Sequence, residues 1–457
     1  MRYILCADFG STYTKLTAID MQALKILGTS AAYTTVQTNI LDGYADALAL
    51  LEKDIGTLDY DKRLAASSAA GGLKMIAVGL VPRLTSNAAK LAASSAGAKL
   101  IATYSYDLSD AEVEEIFNHR PDMILLSGGI DGGNKEVMLN NAEKIARIEY
   151  NFPVVVAGNK AVAGEAGRML ESGGKEAVIT ENVMPELNKL NVEPAKAAIR
   201  ELFIRRIIDA KGLAEANAMM SLEIIPTPLA VFNACEALSE FGTLTAVDVG
   251  GATTDVYSMA DGLPENAAVI EKGLREPFAK RSIEGDLGVR YSMESLIKEA
   301  GIDRIAIESG ASPEAVTAHC KICTQDTSAV FPSGSTAAKI DNALAGECVR
   351  ISMNRHAGRL ETVYTNMGEV QLQTGKDLTK TKYLFGTGGS VINSSAPETI
   401  MAKALYSQVD YDILKPENPK IIIDKNNILT AMGLLTRVDK QSALSMMKKE
   451  LMSEEDM

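Results

Sequence analysis

Tryptophan is absent from this chain of 457 residues, and aromatic residues of all kinds make up only 5% of it. A surface that stacks the bases of single strands needs aromatic platforms, and they are scarce here. Basic residues are outnumbered: 46 lysines and arginines stand against 59 aspartates and glutamates, a formal net charge of -13. An acidic surface repels phosphate backbones, so nucleic acid is not an expected partner. The five cysteines, Cys6, Cys235, Cys320, Cys323 and Cys348, are few and odd in number. That suits a reducing cytoplasm better than a disulfide framework. No apolar run approaches the roughly 20 residues that a membrane helix requires. The N-terminus reads as a strand entering a turn, without the longer apolar core and cleavage site of a signal peptide. The expected location is cytoplasmic, with no membrane contact.

What is present is an ordinary globular balance, 46% hydrophobic and 23% charged, in a chain long enough for two or three domains. Residues 3–7 form a short apolar run ending at Asp8-Phe-Gly-Ser-Thr-Tyr-Thr-Lys15, and a second strand, 16–19, follows. Strand, tight polar turn, strand predicts a hairpin. A helix is expected over 42–53. Between 72 and 182 strands (74–80, 99–104, 123–127, 154–157, 177–180) alternate with helices (84–96, 109–118, 135–148). Ser109 followed by Glu112 has capping-box spacing. Such alternation predicts a doubly wound parallel unit, Rossmann-like or flavodoxin-like. Helices are expected over 195–210 and 227–240, with Pro226 and Pro228 at the entry of the second. The opening pattern then returns: strand 243–247, Asp248-Val-Gly-Gly-Ala-Thr-Thr-Asp255, strand 256–259.

The chemistry-bearing positions lie in these turns. A phosphate tail needs close backbone N–H groups, hydroxyl donors and a nearby cation. Gly10 lets the chain turn without a Cβ, Ser11, Thr12 and Thr14 offer donors, and Lys15 is a cation. Asp8 ends its strand, where a carboxylate can hold Mg²⁺ through water. Asp248, Gly250, Gly251, Thr253 and Thr254 repeat the arrangement. A third turn, Leu384-Phe-Gly-Thr-Gly-Gly-Ser-Val-Ile392, places Gly386, Gly388, Gly389 and Ser390 between a strand and a helix. There the backbone can lie against a planar group or a phosphate. Each turn alone also reads as a plain hairpin or packing loop.

Together, the two Asp-x-Gly hairpins and the later Gly-x-Gly-Gly turn resemble the nucleotide site of the actin, heat-shock chaperone and sugar-kinase superfamily. That resemblance implies an α/β fold of two actin-like lobes with duplicated ribonuclease H-like sheets and an inserted doubly wound unit. Its expected division is 1–71 with 183–241 as the first lobe, 72–182 as the insert, 242–423 as the second lobe, and 424–457 as a returning helix and tail. It implies ATP and Mg²⁺ as cofactors. Asp8 and Asp248 would be catalytic and metal-contacting, the hairpin residues would hold phosphates, and Gly386–Ser390 positions would line the nucleoside. Glu284-Gly-Asp-Leu-Gly288 and Leu429-Thr-Ala-Met-Gly-Leu-Leu435 agree with the same superfamily.

A narrower resemblance rests on Ala66-Ser-Ser-Ala-Ala-Gly-Gly-Leu-Lys-Met75, Leu126-Ser-Gly-Gly-Ile-Asp-Gly-Gly-Asn134, Asp248–Val256, Glu284–Gly288 and Arg355-His-Ala-Gly358. These segments resemble the MutL (GlmL) accessory proteins of glutamate mutase operons, which are unrelated to the mismatch-repair protein of that name. The resemblance implies an ATP-dependent reactivating partner of an adenosylcobalamin-dependent mutase, working as a homodimer or with a small second subunit. Tyr257 departs from the family, where His is expected. The alternatives are a small-molecule kinase of the same fold and an ATP-gated scaffold or filament protein. An activator of 2-hydroxyacyl-CoA dehydratases is disfavoured, because Ala252-Thr-Thr-Asp255 replaces its Gln-Asp. The cobalamin signature Asp-x-His-x-x-Gly is absent, so the insert is expected to imitate a cobalamin domain rather than to be one.

His319-Cys-Lys-Ile-Cys323 contains a Cys-x-x-Cys, for which only Cys348 and His356 lie within sequence range as further metal ligands. The segment reads more simply as a helical turn that buries Ile322.

Overall fold

The computed structural model describes residues 2–452, except 11–12, 36–38, 69–73, 82–87, 89–91, 93–98, 188, 209–212, 265, 267, 274 and 367. Contacts divide the chain into two units, Met1–Leu229 and Ala230–Met457. The division falls inside the helix Thr227–Leu238, which the sequence assigns whole to the first lobe.

In the first unit the strands are β1 (Tyr3–Phe9), β2 (Tyr13–Asp20), β3 (Lys25–Tyr33), β4 (Lys62–Ser67), β5 (Lys74–Gly79), β6 (Lys99–Ser105), β7 (Met123–Leu126), β8 (Val154–Val156), β9 (Ala177–Ile179) and β10 (Ile225–Pro226). One sheet has the order β10-β4-β1-β2-β3. Its first three strands form an antiparallel meander, and β4 and β10 add in parallel beside β1. The helix Ile40–Ile55 buries Ile40, Tyr44, Ala47 and Leu51, a helical spacing. Asn39 caps its start by accepting the Leu41 N–H, and Gly56 ends it at φ 80°.

The second unit contains β11 (Leu244–Val249), β12 (Thr254–Met259), β13 (Val269–Glu271), β14 (Ala279–Glu284), β15 (Arg359–Thr365), β16 (Gly368–Thr374), β17 (Tyr383–Thr387) and β18 (Lys420–Ile423). Its main sheet is β14-β12-β11-β17-β18. Here too the first strand and two antiparallel neighbours are extended by two parallel strands. Each unit therefore carries the same five-stranded, ribonuclease H-like sheet. That is the duplicated α/β class expected from the two hairpins. The long helix Thr336–His356, capped by Ser335, buries Ile340, Leu344, Cys348 and Ile351 in the second core. A small sheet, β13-β16-β15, was not anticipated.

The insert forms its own sheet, β6-β5-β7-β8-β9, with every pair parallel. Counted within the insert this is 2-1-3-4-5, the flavodoxin-like order. Met75–Val78 and Met123–Leu126 are fully buried, as a sheet covered on both faces demands. The capping box at Ser109 and Glu112 forms as expected. Of the expected helix 84–96, only Ala88 and Ala92 belong to the described residues, and both are helical and buried.

Candidate functional site

The register of the ladders aligns the two hairpins. Asp8 stands opposite Lys15 and Phe9 opposite Thr14; Asp248 stands opposite Asp255 and Val249 opposite Thr254. In each turn a glycine N–H donates to the carbonyl three residues on, Gly10 to Tyr13 at 3.1 Å and Gly250 to Thr253 at 2.9 Å. A Cβ would lie 2.5 Å from that oxygen at Gly10 and 3.0 Å at Gly250. Both positions require glycine because the turn closes on them.

In the first hairpin the Thr227 hydroxyl donates to Asp8 Oδ1 at 2.6 Å. Burial pushes the Asp8 carboxyl above the ordinary aspartate value, against the opposing effects of the Lys15 charge and the Thr227 bond. Thr14 is buried, its hydroxyl hydrogen-bonded to that of Thr34 at 3.0 Å. Ser11 and Thr12 lie outside the described residues.

In the second hairpin Thr254 is likewise buried, and its hydroxyl donates to the Leu287 carbonyl. Asp255 is buried with Arg281, which donates to its Oδ1 from Nε at 3.0 Å and Nη2 at 2.7 Å. The Thr253 hydroxyl reaches Asp255 Oδ2 at 3.4 Å. Tyr257 is fully buried on the same strand, against Phe232.

The third turn meets the second within this unit. β17 pairs with β11 so that Thr387 lies beside Asp248, and Gly388 follows at φ 88°. A Cβ at Gly388 would sit 2.4 Å from Asp248 Oδ1 and 2.5 Å from the Val249 carbonyl. The main chain at 388 packs directly against the Asp248 carboxylate and Val249, an approach that any side chain there would block. Gly386 faces inward, where a Cβ would strike Met401 and Ile423. Gly389 is exposed and opens the one-turn helix Gly389–Ile392 with Ser390.

Sequence reasoning missed two residues that follow the fifth strand of each sheet. Thr227, after β10, holds Asp8. Asp424, after β18 and fully buried, accepts from the Thr387 hydroxyl at 3.2 Å and from the N–H groups of Ile428 and Leu429. A polar residue directly after a strand was the available signal.

The Gly-Asp-Leu-Gly stretch explains the orientation of the second turn. The Gly250 carbonyl accepts from Val289 N–H, that of Gly251 from Arg290 and Tyr291, and that of Ala252 from the Ser292 hydroxyl at 2.6 Å. Gly288 permits this approach, since its Cβ would lie 2.4 Å from Ala252. Arg355 anchors the stretch through Glu284 at 2.7 Å and Asp286 at 2.9 Å. The carbonyls of the turn are thus engaged on one side. Among the described residues, no acceptor of the chain meets the N–H groups of Gly251, Ala252 and Thr253. A run of free N–H groups is an anion cradle. With the Asp248 carboxylate at the end of the strand that enters this turn, the donor set fits a phosphate chain and a hydrated Mg²⁺.

The Cys-x-x-Cys segment lies elsewhere in the second unit. The helix Pro313–Gln325 buries Val316, His319, Cys320 and Cys323, whereas Ile322 is 49% exposed, contrary to expectation. Positions 316, 319, 320 and 323 share one helical face, and 322 falls on the other. His319 Nε2 lies 2.8 Å from Asp341 Oδ1 and 3.4 Å from Cys323 Sγ. These three are the one cluster of metal-type ligands among the described residues. Arg290 engages both Asp341 oxygens, at 3.1 and 2.9 Å. Burial disfavours a charged His319, but its bonds to Asp341 and Cys323 outweigh it and hold the ring protonated, to about 9. With two cations already on Asp341, the cluster is an ion-pair network rather than a metal centre. His356 is separate, between Ser258 and Ser282.

Among the described residues, no helix is long and apolar enough to cross a membrane. The model of the MutL protein family matches residues 4–451. Protein MutL of Clostridium tetanomorphum is 45% identical over 456 residues, covering 98% of each chain. Among solved structures, the activator of 2-hydroxyisocaproyl-CoA dehydratase from Clostridium difficile with bound ADPNP aligns over 98% of this chain and 97% of its own, at 11% identity and a TM-score of 0.33. The ligand-bound xylulose kinase of Lactobacillus acidophilus aligns over 99% of this chain and 93% of its own, at 12% identity and a TM-score of 0.35.

Proposed function

The chain belongs to the MutL protein family, and from that premise we propose that it is a nucleotide-driven accessory protein of an adenosylcobalamin-dependent mutase, in the cytoplasm. The observation that carries the nucleotide half is the second turn, whose carbonyls are engaged by Val289–Ser292 while the N–H groups of Gly251, Ala252 and Thr253 meet no acceptor among the described residues. Such a turn offers fixed donors to a polyphosphate and no acceptor to repel it. Gly250, Gly251 and Thr253 are the phosphate-facing positions, and Gly388 lets the third turn close against Asp248. Gly389 and Ser390 are the nucleoside-facing positions of the same unit.

The first hairpin is proposed to bind phosphate as well, with Gly10, Ser11, Thr12 and Lys15 as its contacts. Lys15 is the cation set directly opposite Asp8. Thr14 and Thr254 have hydroxyls engaged in their own cores, so their role is to fix the turns. Mg²⁺ held through water by Asp248 and Asp8 would neutralise the polyphosphate charge. Asp8 and Asp248 would orient the attacking water, and no residue is assigned as a strong general base. A slow motor needs none: binding and loss of the terminal phosphate would change how tightly the turns are held.

By this reading the product of hydrolysis is motion, delivered to the mutase in order to release damaged cofactor. The insert would be the part that meets the mutase, so a chain lacking residues 72–182 is expected to lose mutase binding. The direct test supplies MgATP without any acceptor, alone and with glutamate mutase inactivated by turnover. The proposal predicts slow phosphate release and recovery of mutase activity on adding fresh adenosylcobalamin. Phosphate transfer to a sugar or other metabolite, with no recovery of the mutase, would replace it by a kinase.

A further inference from the structure

The insert holds a cavity of about 190 Å³ that neither hairpin touches. Its position follows from topology. After β5 the chain crosses to β6 on one side, and after β7 it crosses to β8 on the other. Between the carboxyl ends of β5 and β7 the direction of winding reverses, which is where open parallel sheets leave a crevice. The cavity lies there, walled by Leu80 and Val81 after β5, Ile130 after β7, and Val183, Met184 and Leu187 after β9. An apolar cavity of about 150 Å³ suffices for benzene, so the space suits a compact organic molecule.

The polar edge of the cavity is built to donate. Gly128 and Gly129 line it at φ 151° and 69°. Asn159, fully buried, donates from its side chain to the carbonyls of Gly133 and Asn134, and its N–H donates to that of Gly128. Asn182, also buried, donates to the Gly129 carbonyl and to Asp131 Oδ1, each at 3.0 Å. Lys160 completes the neutralisation of Asp131, 3.6 Å away. The loop's acceptors are therefore engaged from behind. Among the described residues, the N–H groups of Gly128, Gly129 and Ile130 meet no acceptor of the chain. Apolar walls with a rim of donors select a ligand that is apolar at one end and an acceptor at the other.

The geometry points to a binding site in the insert for a small carboxylic acid with a short branched apolar tail. The carboxylate sits on the Gly128–Ile130 N–H groups, and the tail lies among Leu80, Val183 and Met184. This site is independent of the nucleotide reading. It is tested by ligand-observed NMR on the full chain with 3-methylbutanoate as probe and 3-methylbutanamide as its neutral isostere. Val81 lies at the mouth and is 37% exposed, so its substitution leaves the core alone. The acid is expected to bind saturably with a dissociation constant near 1 mM, and the amide about tenfold more weakly. Val81→Asp places a like charge at the mouth and is expected to weaken the acid about tenfold more than Val81→Asn, its uncharged counterpart of the same size. No saturable binding of the acid up to about 10 mM would overturn the site. Equal binding of acid and amide would overturn the donor rim, and full binding by Val81→Asp would place the ligand elsewhere.

Discussion

The hairpins β1–β2 and β11–β12 share a closing glycine, an inward threonine and an aspartate at the end of the first strand, yet they differ in what faces that aspartate. Across the ladder from Asp8 stands Lys15; across from Asp248 stands Asp255, itself buried with Arg281. The first arrangement sets a cation beside its aspartate. The second ties its charge into the core, and the groups it presents are the backbone N–H groups of Gly251, Ala252 and Thr253, which meet no acceptor among the described residues. The same topology thus sets a side-chain cation beside one aspartate and a run of main-chain N–H groups beside the other, and on the proposed reading each would face phosphate.

The largest effect that would sharpen this contrast comes from the buried pair. Asp255→Asn or Arg281→Met leaves one group of a fully buried ion pair unmatched and is expected to cost about 3–5 kcal/mol in denaturant unfolding. Restoring much of that stability in the double variant Asp255→Leu/Arg281→Met would show the pair to be structural. A cost below about 1 kcal/mol for either single variant would mean the second hairpin does not depend on its buried charges.

Next come the closing glycines. Gly10→Ala drives a Cβ to 2.5 Å from the Tyr13 carbonyl, against 3.0 Å for Gly250→Ala and Thr253. The expected costs are about 3 and about 1 kcal/mol, compared by thermal melting. The reverse order would break the alignment of the two turns.

A smaller effect tests the environment of Asp8. Its carboxyl titrates above the ordinary value, so the folded state binds its proton more tightly than the unfolded chain. That contribution to stability is present at low pH and is lost as pH rises through the folded-state value. Asp8→Asn cannot lose a proton there, so its stability relative to the parent should improve as pH climbs out of the carboxylate range. A pH-independent difference between the two melting curves would contradict the buried setting of Asp8. Thr227→Val, which removes the 2.6 Å bond to the carboxylate, should cost about 1–2 kcal/mol and push that titration higher still. Least of all, Lys15→Met should change stability by less than about 1 kcal/mol while weakening nucleotide binding, read by calorimetry. Unchanged binding would remove Lys15 from the site.

The hairpins were legible in sequence because strand, glycine turn and strand are local, and their repetition about 240 residues apart predicted the duplicated sheet. The insert was legible for a similar reason: short apolar runs such as 75–78 and 123–126 alternate with helical stretches, the linear pattern of a buried parallel sheet. The strand order within it was not, since 2-1-3-4-5 and other doubly wound orders share one linear pattern. The sheet of β13, β15 and β16 escaped notice because its strands are largely exposed and only β16, through Val370 and Leu372, alternates apolar with polar residues. Asp424 and Thr227 escaped because parallel pairing, not sequence proximity, brings them near their sites. Ile322 was read inward from its apolarity alone, when the face shared by Val316, Cys320 and Cys323 settles the direction of that helix.

The central claim is that the second turn and Asp248 hold a nucleotide. Isothermal titration of the full chain with MgATP, set beside Asp248→Ala, tests it most directly. The account predicts saturable binding by the parent that weakens at least about tenfold in the variant, a difference of about 1.4 kcal/mol. Equal binding by the two proteins, or none by the parent, would contradict it.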